Sequence, residues 1–342
     1  ERYLAYGGDW DEEPNDGPFC CNGLIGPDRE PTSKLREVAH VHRNLVVTRK
    51  GDSFELWNRH LFTFADAFDA TCALVVDGRT VATRPLKVPH LAPLARGELE
   101  VPDFGVDAPG ERFVNFEFAL KADTAWAKKG WVVARDQVKV GNCSNDRMFE
   151  CSIAAAKDVK IKEDDRTVTV TAGGTRAVFS RRTGTLCELV MGDRTILRDA
   201  AEDLVAGPRL TCLRAFTDND RWMRDGADFS VDRKVGSCMS RGLTQLSYHA
   251  RPIVVSNGVV RTAVAVTGSK SAGFEHEADW SFGADGSITV DSRVIPHGTM
   301  PPALPRLGLS LVLDPDLERM EWYGRGPHEN YVDRATSAFF GR

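Results

Sequence analysis

The sequence predicts a mainly β protein that opens with the last strand, loop and helix of a (β/α)8 (TIM) barrel and continues into two β domains. Three observations carry this prediction. Helical spacing follows Pro31, alternating apolar and polar residues begin near residue 44, and hairpin dipeptides such as Asp77-Gly78 and Asn257-Gly258 separate the alternating runs. A chain of 342 residues is ample for two or three domains.

The first 43 residues are predicted to be the C-terminal end of the barrel. A strand-like run at 3–6 leads into a loop at 10–30 that is rich in Asp, Asn, Gly and Pro, and Pro31 has the fixed φ suited to a first helical turn. The loops that follow barrel strands form the active-site face, so this loop is the place to look for function. One strand cannot close a barrel, so we expect the other strands upstream. The helix is predicted from four residues at helical spacing: Leu35, Val38, Ala39 and His42.

Residues 44–138 are predicted to form an immunoglobulin-like β-sandwich. Their length, about 100 residues, is the size of such a domain. One strand is predicted where apolar residues alternate with Asn115 and Glu117, so that one face carries Val114, Phe116, Phe118 and Leu120. Further strand-like runs lie at 44–48, 54–58, 72–76, 79–83 and 131–138.

Residues 139–342 are predicted to contain a large β-supersandwich, truncated at its C-terminal end. A polar connector at 139–165 precedes it, and alternation resumes at Val168 and Val170. The strands that follow exceed a simple sandwich in number. Turns between them are predicted at Gly173-Gly174, Asn257-Gly258 and Asp285-Gly286.

Composition argues against several classes of partner. The formal net charge of -5 provides no electrostatic reason to expect nucleic acid or anionic lipid. No apolar run approaches the roughly 20 residues that span a bilayer. The eight cysteines are scattered without a C-x-x-C pair, a pattern typical of reduced thiols rather than of a disulfide framework, and it favours a cytoplasmic location.

Three blocks occur in a defined order along the chain. The first runs from Tyr6-Gly7-Gly8-Asp9-Trp10 to Asp28-Arg29, the second is Ala215-Phe216-Thr217-Asp218-Asn219-Asp220, and the third extends over 322–334. Together they resemble the end of the barrel and the C-terminal β domain of the bacterial lactose-cleaving β-galactosidases, glycoside hydrolase family 2. Because the likeness spans nearly the whole chain, chance is an unsatisfactory explanation.

The resemblance implies part of a retaining hydrolase of terminal β-galactosides such as lactose, acting as a homo-oligomer, a tetramer or a dimer, when full-length. Such enzymes use two carboxyl groups about 5–5.5 Å apart, one as acid/base and one as nucleophile. In this family both glutamates lie in the barrel upstream of Tyr6. No catalytic residue is therefore expected in this chain, and the fragment alone is expected to be inactive.

The resemblance also implies ligands for Na⁺ and Mg²⁺. The family position that matches Asn22 binds sodium through its side-chain oxygen and contacts the galactose, the one that matches Phe19 gives its backbone carbonyl to the same ion, and the one that matches Asn15 is a ligand of a peripheral magnesium. Oxygen atoms are what hard cations prefer. The alternative is that Asn15, Asp16 and Asn22 are turn residues, since Asn and Asp bond readily to their own backbone.

Two other functions stay open at this point. A non-catalytic carbohydrate-binding or cell-surface interaction protein would also consist of β-sandwiches, although it explains the opening strand, loop and helix poorly. A β-glucuronidase or β-mannosidase of the same family differs mainly in upstream residues, so this sequence separates them weakly from a β-galactosidase.

Three other groups of residues have competing interpretations. Glu275-His276-Glu277 contains metal-ligand types, but neighbours on a strand face opposite sides, so we expect a solvated strand. Asp218-Asn219-Asp220 lacks the rest of a calcium loop and is predicted to be a structured turn near the barrel. For Trp322, Tyr323 and Tyr331, core packing is favoured over stacking on a sugar ring.

Overall fold

The computed structural model describes residues 5, 7–17, 23–106, 108–140, 159–199, 205–214, 241–301 and 304–342. The chain divides into two compact units. The first unit consists of Glu1–Arg147 together with Glu321–Arg342, and the second is Met148–Met320. The predicted domain boundaries after residues 43 and 138 stay predictions. The residues that end the chain belong to the first unit, although the second unit separates them from it in sequence.

The first unit contains one α-helix, one 3₁₀ turn at Ala65–Ala67 and nine of the strands found in the described residues. The elements are α1 (Ser33–Val41), β1 (Leu45–Lys50), β2 (Ser53–Asn58), β3 (Phe68–Val76), β4 (Arg79–Leu86), β5 (Arg96–Leu99), β6 (Arg112–Leu120), β7 (Val132–Lys139), β20 (Gly324–Gly326) and β21 (Phe339–Gly341). Two antiparallel sheets have the strand orders β1-β2-β5 and β4-β3-β6-β7, and β20 pairs with β21.

The two sheets of this unit face each other across one apolar core, as expected of a sandwich. The predicted alternation along β6 is confirmed, because Val114, Phe116, Phe118 and Leu120 are buried while Glu117 on the other face pairs with Arg135. The ring of Phe116 meets that of Phe54 on β2 edge-on, with centroids 5.4 Å apart. The core combines Leu45, Val47, Leu56 and Leu99 of the first sheet with Cys72, Leu74, Val114, Phe116 and Phe118 of the second.

The Asp77-Gly78 dipeptide forms the predicted tight turn between β3 and β4. Both residues have positive φ, 46° and 77°, the combination that a two-residue hairpin requires. A Cβ atom at Gly78 would lie 2.8 Å from the ring of Tyr323, so glycine is needed for space as well as for backbone conformation.

The helix begins two residues later than the position of Pro31 suggested. Pro31 forms an isolated β-bridge with Ile25, and Thr32 has the extended backbone of an N-cap, with φ -88° and ψ 167°. The bridge holds Pro31 in the loop, so the first helical turn starts at Ser33. No residue of α1 is buried. The strand-like run at 3–6 falls mostly outside the described residues.

The second unit contains two larger antiparallel sheets and a two-stranded ribbon. The strands are β8 (Lys160–Glu163), β9 (Thr167–Ala172), β10 (Thr175–Ser180), β11 (Thr185–Met191), β12 (Arg194–Arg198), β13 (Arg209–Thr211), β14 (Leu246–Ala250), β15 (Val254–Ser256), β16 (Val259–Gly268), β17 (Gly273–Phe282), β18 (Ile288–His297) and β19 (Gly308–Ser310). The strand orders are β12-β11-β10-β9-β8 in one sheet, β14-β16-β17-β18 in the other, where β15 also pairs with β16, and β13-β19 in the ribbon.

The large sheets of the second unit share a core. Phe179 on β10 meets Trp280 on β17 edge-on at 5.2 Å, and Val168 and Val170 are fully buried. All three predicted turns of this unit separate strands: β9 from β10, β15 from β16, and β17 from β18. A sandwich-like β domain is therefore confirmed.

The expectation that Glu275-His276-Glu277 is a solvated strand is wrong for its central residue. Alternation along β17 directs His276 toward the core, where only 6% of the residue is exposed and a ring nitrogen lies 2.7 Å from the Ser292 hydroxyl. Burial lowers the pKa of His276. The two glutamates face the other way and pair with arginines, Glu275 with Arg251 and Glu277 with Arg293.

The described cysteines and helices bear on the predictions of reduced thiols and of no membrane span. Cys72, Cys187 and Cys212 are free thiols. Burial raises the pKa of each of these three groups and so keeps it protonated. In the part of the chain that the structure describes, no helix has the length and apolar character needed to cross a membrane.

Candidate active-site loop and its supports

The entry of the 10–30 loop is organised by its own side chains. The Glu12 carboxylate accepts hydrogen bonds from the backbone N–H groups of Gly8 (2.9 Å) and Trp10 (3.0 Å). Asn15 donates from Nδ2 to the Glu12 carbonyl and accepts from Gly17 N–H at Oδ1. The bond from Gly8 is the main reason why the pKa of Glu12 is lowered. These bonds form a compact turn from positions 8 to 17.

Asn15 behaves as a turn residue whose oxygen could still serve a cation. It is exposed, and Oδ1 carries one hydrogen bond, from Gly17, which leaves a lone pair. A single neutral oxygen on an exposed loop fits a peripheral Mg²⁺ that keeps most of its waters. Among the residues described, no group of three His, Cys, Asp or Glu side chains is placed to hold a metal ion. Magnesium at Asn15 stays a prediction.

The predicted sodium ligands Phe19 and Asn22 lie outside the described residues, and so does Asp218-Asn219-Asp220. Their assigned roles therefore stay predictions.

The exit of the loop is fastened to the start of α1. The Thr32 hydroxyl donates to the Leu24 carbonyl at 2.6 Å, and Ile25 pairs with Pro31. Inside this bridge Gly26 N–H bonds to the Glu30 carbonyl. Leu24 is only two positions after Asn22 in the sequence. The placement of α1 therefore determines where the end of the loop lies.

A polar triad holds the first turn of α1 against the 321–342 segment. Arg334 donates to the Ser33 hydroxyl oxygen (2.7 Å) and to Glu329 Oε1 (2.9 Å), and the Ser33 hydroxyl donates to the same Glu329 oxygen (2.8 Å). The hydrogen bonds from Arg334 and Ser33 lower the pKa of Glu329, with Arg334 as the main cause. The triad joins residues about 300 positions apart in the sequence.

One turn later Glu37 makes a second connection to the same segment. Its carboxylate accepts from the backbone N–H groups of Thr336 (3.1 Å) and Ser337 (2.9 Å) and from the Thr336 hydroxyl. Desolvation opposes ionisation, but the hydrogen bonds outweigh it and lower the pKa of Glu37 to about 2. We call Ser33, Glu37, Glu329 and Arg334, with their partners at 336 and 337, the α1 clamp.

The Glu37 part of the α1 clamp should weaken in acid. Because its folded pKa of about 2 lies below the ordinary 4.5, ionised Glu37 adds stability that is complete above about pH 4.5 and lost as the pH falls toward 2. We expect the urea midpoint of the wild type to exceed that of Glu37→Gln most at pH 7 and less at pH 4 and pH 3. A midpoint difference that is constant over this range would contradict the assignment.

A cavity of about 770 Å³ lies in the first unit beside α1, β6, β7 and the 326–339 stretch. Trp126 and Trp131 line it although 67% and 59% of each remain exposed. Glu117 is the sole carboxylate among the described lining residues, and it is paired with Arg135 at 2.7 Å. The described lining residues of this cavity therefore do not include the two carboxylates that a glycosidase uses.

His40 at the cavity wall is held neutral. Its ring meets Phe339 edge-on at 5.7 Å. Burial, followed by the positive charge of Arg43, lowers the pKa of His40 to about 4. At neutral pH this side chain therefore contributes packing and a polar nitrogen rather than a charge.

The expectation of core packing for Trp322, Tyr323 and Tyr331 is wrong, since each is more than a third exposed. Tyr323 instead donates its hydroxyl to Glu111 at 2.7 Å, and desolvation together with this carboxylate raises the pKa of Tyr323.

The sequence patterns assign no role to the residues of the α1 clamp. The one signal for them in the sequence is the Pro327-His328-Glu329-Asn330-Tyr331 stretch, which contains Glu329 and belongs to the third block.

Three family models match the chain in order. Residues 1–47 match the TIM barrel domain of glycosyl hydrolases family 2, residues 54–141 match β-galactosidase domain 4, and residues 171–342 match the β-galactosidase small chain. The loop and α1 thus fall in the barrel match, and the 321–342 segment falls in the small-chain match.

Several curated proteins are similar over almost all of the chain. A β-galactosidase of Priestia megaterium is 30% identical over 348 residues, covering 98% of this chain and 31% of that protein. Those of Halalkalibacterium halodurans and Lactobacillus delbrueckii subsp. bulgaricus are 27% and 29% identical, covering 99% and 100% of this chain and 32% of each relative. The chain spans about a third of the length of the curated relatives it matches.

Proposed function

Since the chain belongs to the β-galactosidases of glycoside hydrolase family 2, we propose that it is the part of a retaining β-galactosidase that completes the galactose subsite and braces the barrel. The ordered succession of the three family matches is the observation that carries this proposal. The substrates proposed are terminal β-galactosides such as lactose.

Both catalytic carboxylates are proposed to lie outside this chain. A retaining glycosidase needs an acid/base and a nucleophile about 5–5.5 Å apart. Among the described residues that line the cavity of the first unit, Glu117 is the single carboxylate and is already paired, which supports an upstream location for the pair. The chain on its own should therefore leave a nitrophenyl β-galactoside intact.

The 10–30 loop is proposed to orient the sugar. Asn22 would contact the galactose, and Asn22 with the Phe19 carbonyl would hold Na⁺, which when bound supplies a coordination site for a sugar hydroxyl. Asn15 would hold a peripheral Mg²⁺. The self-bonded turn at 8–17 and the bridge between Ile25 and Pro31 support a loop whose two described ends are organised before substrate arrives.

Replacing Asn22 by alanine in the complete enzyme tests the site. We expect hydrolysis of a nitrophenyl galactoside to fall by about 10²-fold or more, because misplacing a bound substrate is costly. We also expect activation by Na⁺ to disappear. Rates measured across a sodium titration provide both results.

Asn257→Gly is the matched control. Asn257 occupies a positive-φ turn position in the second unit that glycine also suits, so hydrolysis and its sodium dependence should stay at wild-type values. Unchanged hydrolysis and sodium activation in Asn22→Ala would show that the site assignment is wrong.

The environment proposed for the whole enzyme is the cytoplasm. The free thiols of Cys72, Cys187 and Cys212 support it, since reduced cysteines persist there. The partners proposed are the galactoside and further copies of the same protein, in a tetramer or a dimer. Neither nucleic acid nor a membrane is proposed as a partner, in keeping with the net charge of -5.

A further inference from the structure

The α1 clamp connects two parts of the first unit that are far apart in sequence. On one side are Ser33 and Glu37, in the first two turns of α1. On the other are Glu329, Arg334 and the backbone of Thr336 and Ser337. Each of these hydrogen bonds has a charged side chain as donor or acceptor, and such bonds are stronger and more directional than neutral ones.

The position of α1 depends on directional contacts of this kind. Within this chain none of its nine residues is buried. A helix of this length is marginal by itself in water. In this chain the contacts to the 321–342 segment therefore have a large share in placing it.

The contacts continue from the helix into the candidate loop. Ser33 follows the N-cap Thr32, whose hydroxyl donates to the Leu24 carbonyl at 2.6 Å. The bridge between Ile25 and Pro31 closes the same stretch. An unbroken series of bonds thus leads from Arg334 and Glu329 to the end of the 10–30 loop.

We propose that Glu37, Ser33, Glu329 and Arg334 are positioning residues: they hold α1, and through Thr32 and Leu24 they hold the 24–32 end of the loop, which follows the proposed sugar-binding Asn22 in sequence. This inference rests on the proposed function of that loop. It assigns to the 322–334 block a role in the galactose subsite that it fulfils without touching the substrate.

Hydrogen exchange on the chain itself tests the structural half of the proposal. Glu37→Ala removes three acceptor contacts, so the amides at 24–32, which include those of Gly26, Arg29 and Thr32, should exchange about tenfold faster than in the wild type. Glu37→Gln keeps an amide oxygen as acceptor and should show a smaller increase. Arg334→Lys retains the charge but loses the two-point contact, and it should also lie between wild type and Glu37→Ala.

Glu321→Gln is the matched control. This carboxylate lies in the same segment and pairs with Arg342 at 2.8 Å, and none of its bonds involves α1. Exchange at 24–32 should remain at the wild-type rate. Equal exchange there in the wild type, Glu37→Ala and Glu321→Gln would overturn the proposal, whatever the enzyme's activity.

Kinetics of the complete enzyme test the functional half. We expect Glu37→Ala to raise KM for a nitrophenyl galactoside and the sodium concentration for half-maximal rate by about tenfold each, with partial rescue in Glu37→Gln. A purely structural role would lower the folded fraction and the apparent kcat while KM and the sodium midpoint stayed constant, and this result would also overturn the proposal. Failure of the proposed function looks different, since the wild type itself would then lack sodium-dependent galactoside hydrolysis.

Discussion

Phe116→Ala should lower the free energy of unfolding of the first unit by about 3–5 kcal/mol, the range for truncating a buried phenylalanine. Phe116 is fully buried on β6, at the centre of the sandwich. On β3 its direct cross-strand neighbour is Cys72, and its ring meets Phe54 of the opposite sheet at 5.4 Å. Alanine would leave a cavity between both sheets that neither strand can close without losing its register. Urea-induced unfolding measures the change.

Phe62→Ala is the control for this experiment. The residue type and the substitution are the same, but 90% of Phe62 is exposed, so the free energy of unfolding should change by no more than about 0.5 kcal/mol. If both substitutions had the same small effect, the two sheets would not share the core that the structure shows.

Arg43→Ala should destabilise the first unit by about 3–5 kcal/mol, because it leaves a buried carboxylate without its partner. Arg43 donates to Asp136 from Nε (3.2 Å) and Nη2 (2.7 Å), and both side chains are largely buried. Asp136 also accepts from Val47 N–H, and so joins β7 to β1. Unfolding in urea at pH 7, followed by circular dichroism, measures the loss.

The loss of folding stability in Arg43→Ala should depend on pH. Desolvation, only partly offset by Arg43, raises the pKa of Asp136 in the folded protein. Without Arg43 this pKa should rise further, and a raised folded pKa adds stability at low pH that is lost as the pH rises through it. The deficit of Arg43→Ala should therefore be larger at pH 7 than at pH 5.

Arg135→Ala is the matched control for Arg43→Ala. Arg135 also pairs with a carboxylate, Glu117, but both side chains of that pair are about half exposed. Such a surface pair contributes about 0–1 kcal/mol. Similar losses in the two variants would mean that burial of the Arg43–Asp136 pair has no energetic consequence.

Local patterns in the sequence predicted several strands and turns of both units. The alternation along β6 and β17 and the Asp77-Gly78 turn depend on neighbours only a few positions away, and they appear as predicted. The prediction for His276 was wrong about which face of β17 is buried. Alternation separates the two faces of a strand, but the packing of the other strands decides which face is covered.

The candidate site was predicted unevenly. The family was recognised from ordered blocks, and the loop at 10–30 was identified from its composition and position. The residues that fasten this loop were not identified, because Glu37 and Arg334 are ordinary charged residues in sequence. Their roles depend on partners about 300 positions away, and no local pattern records such a pairing.

The amino-acid sequence by itself determined the mainly β class, several strand and turn positions and the family, because these depend on spacing, composition and motif order. The tertiary structure alone decided that residues 321–342 join the first unit, that α1 is held by carboxylate and guanidinium contacts, and that Arg43 and Asp136 are buried together. The physical reason is that burial and ion pairing are properties of groups brought together by the whole chain, whereas periodicity is a property of one segment.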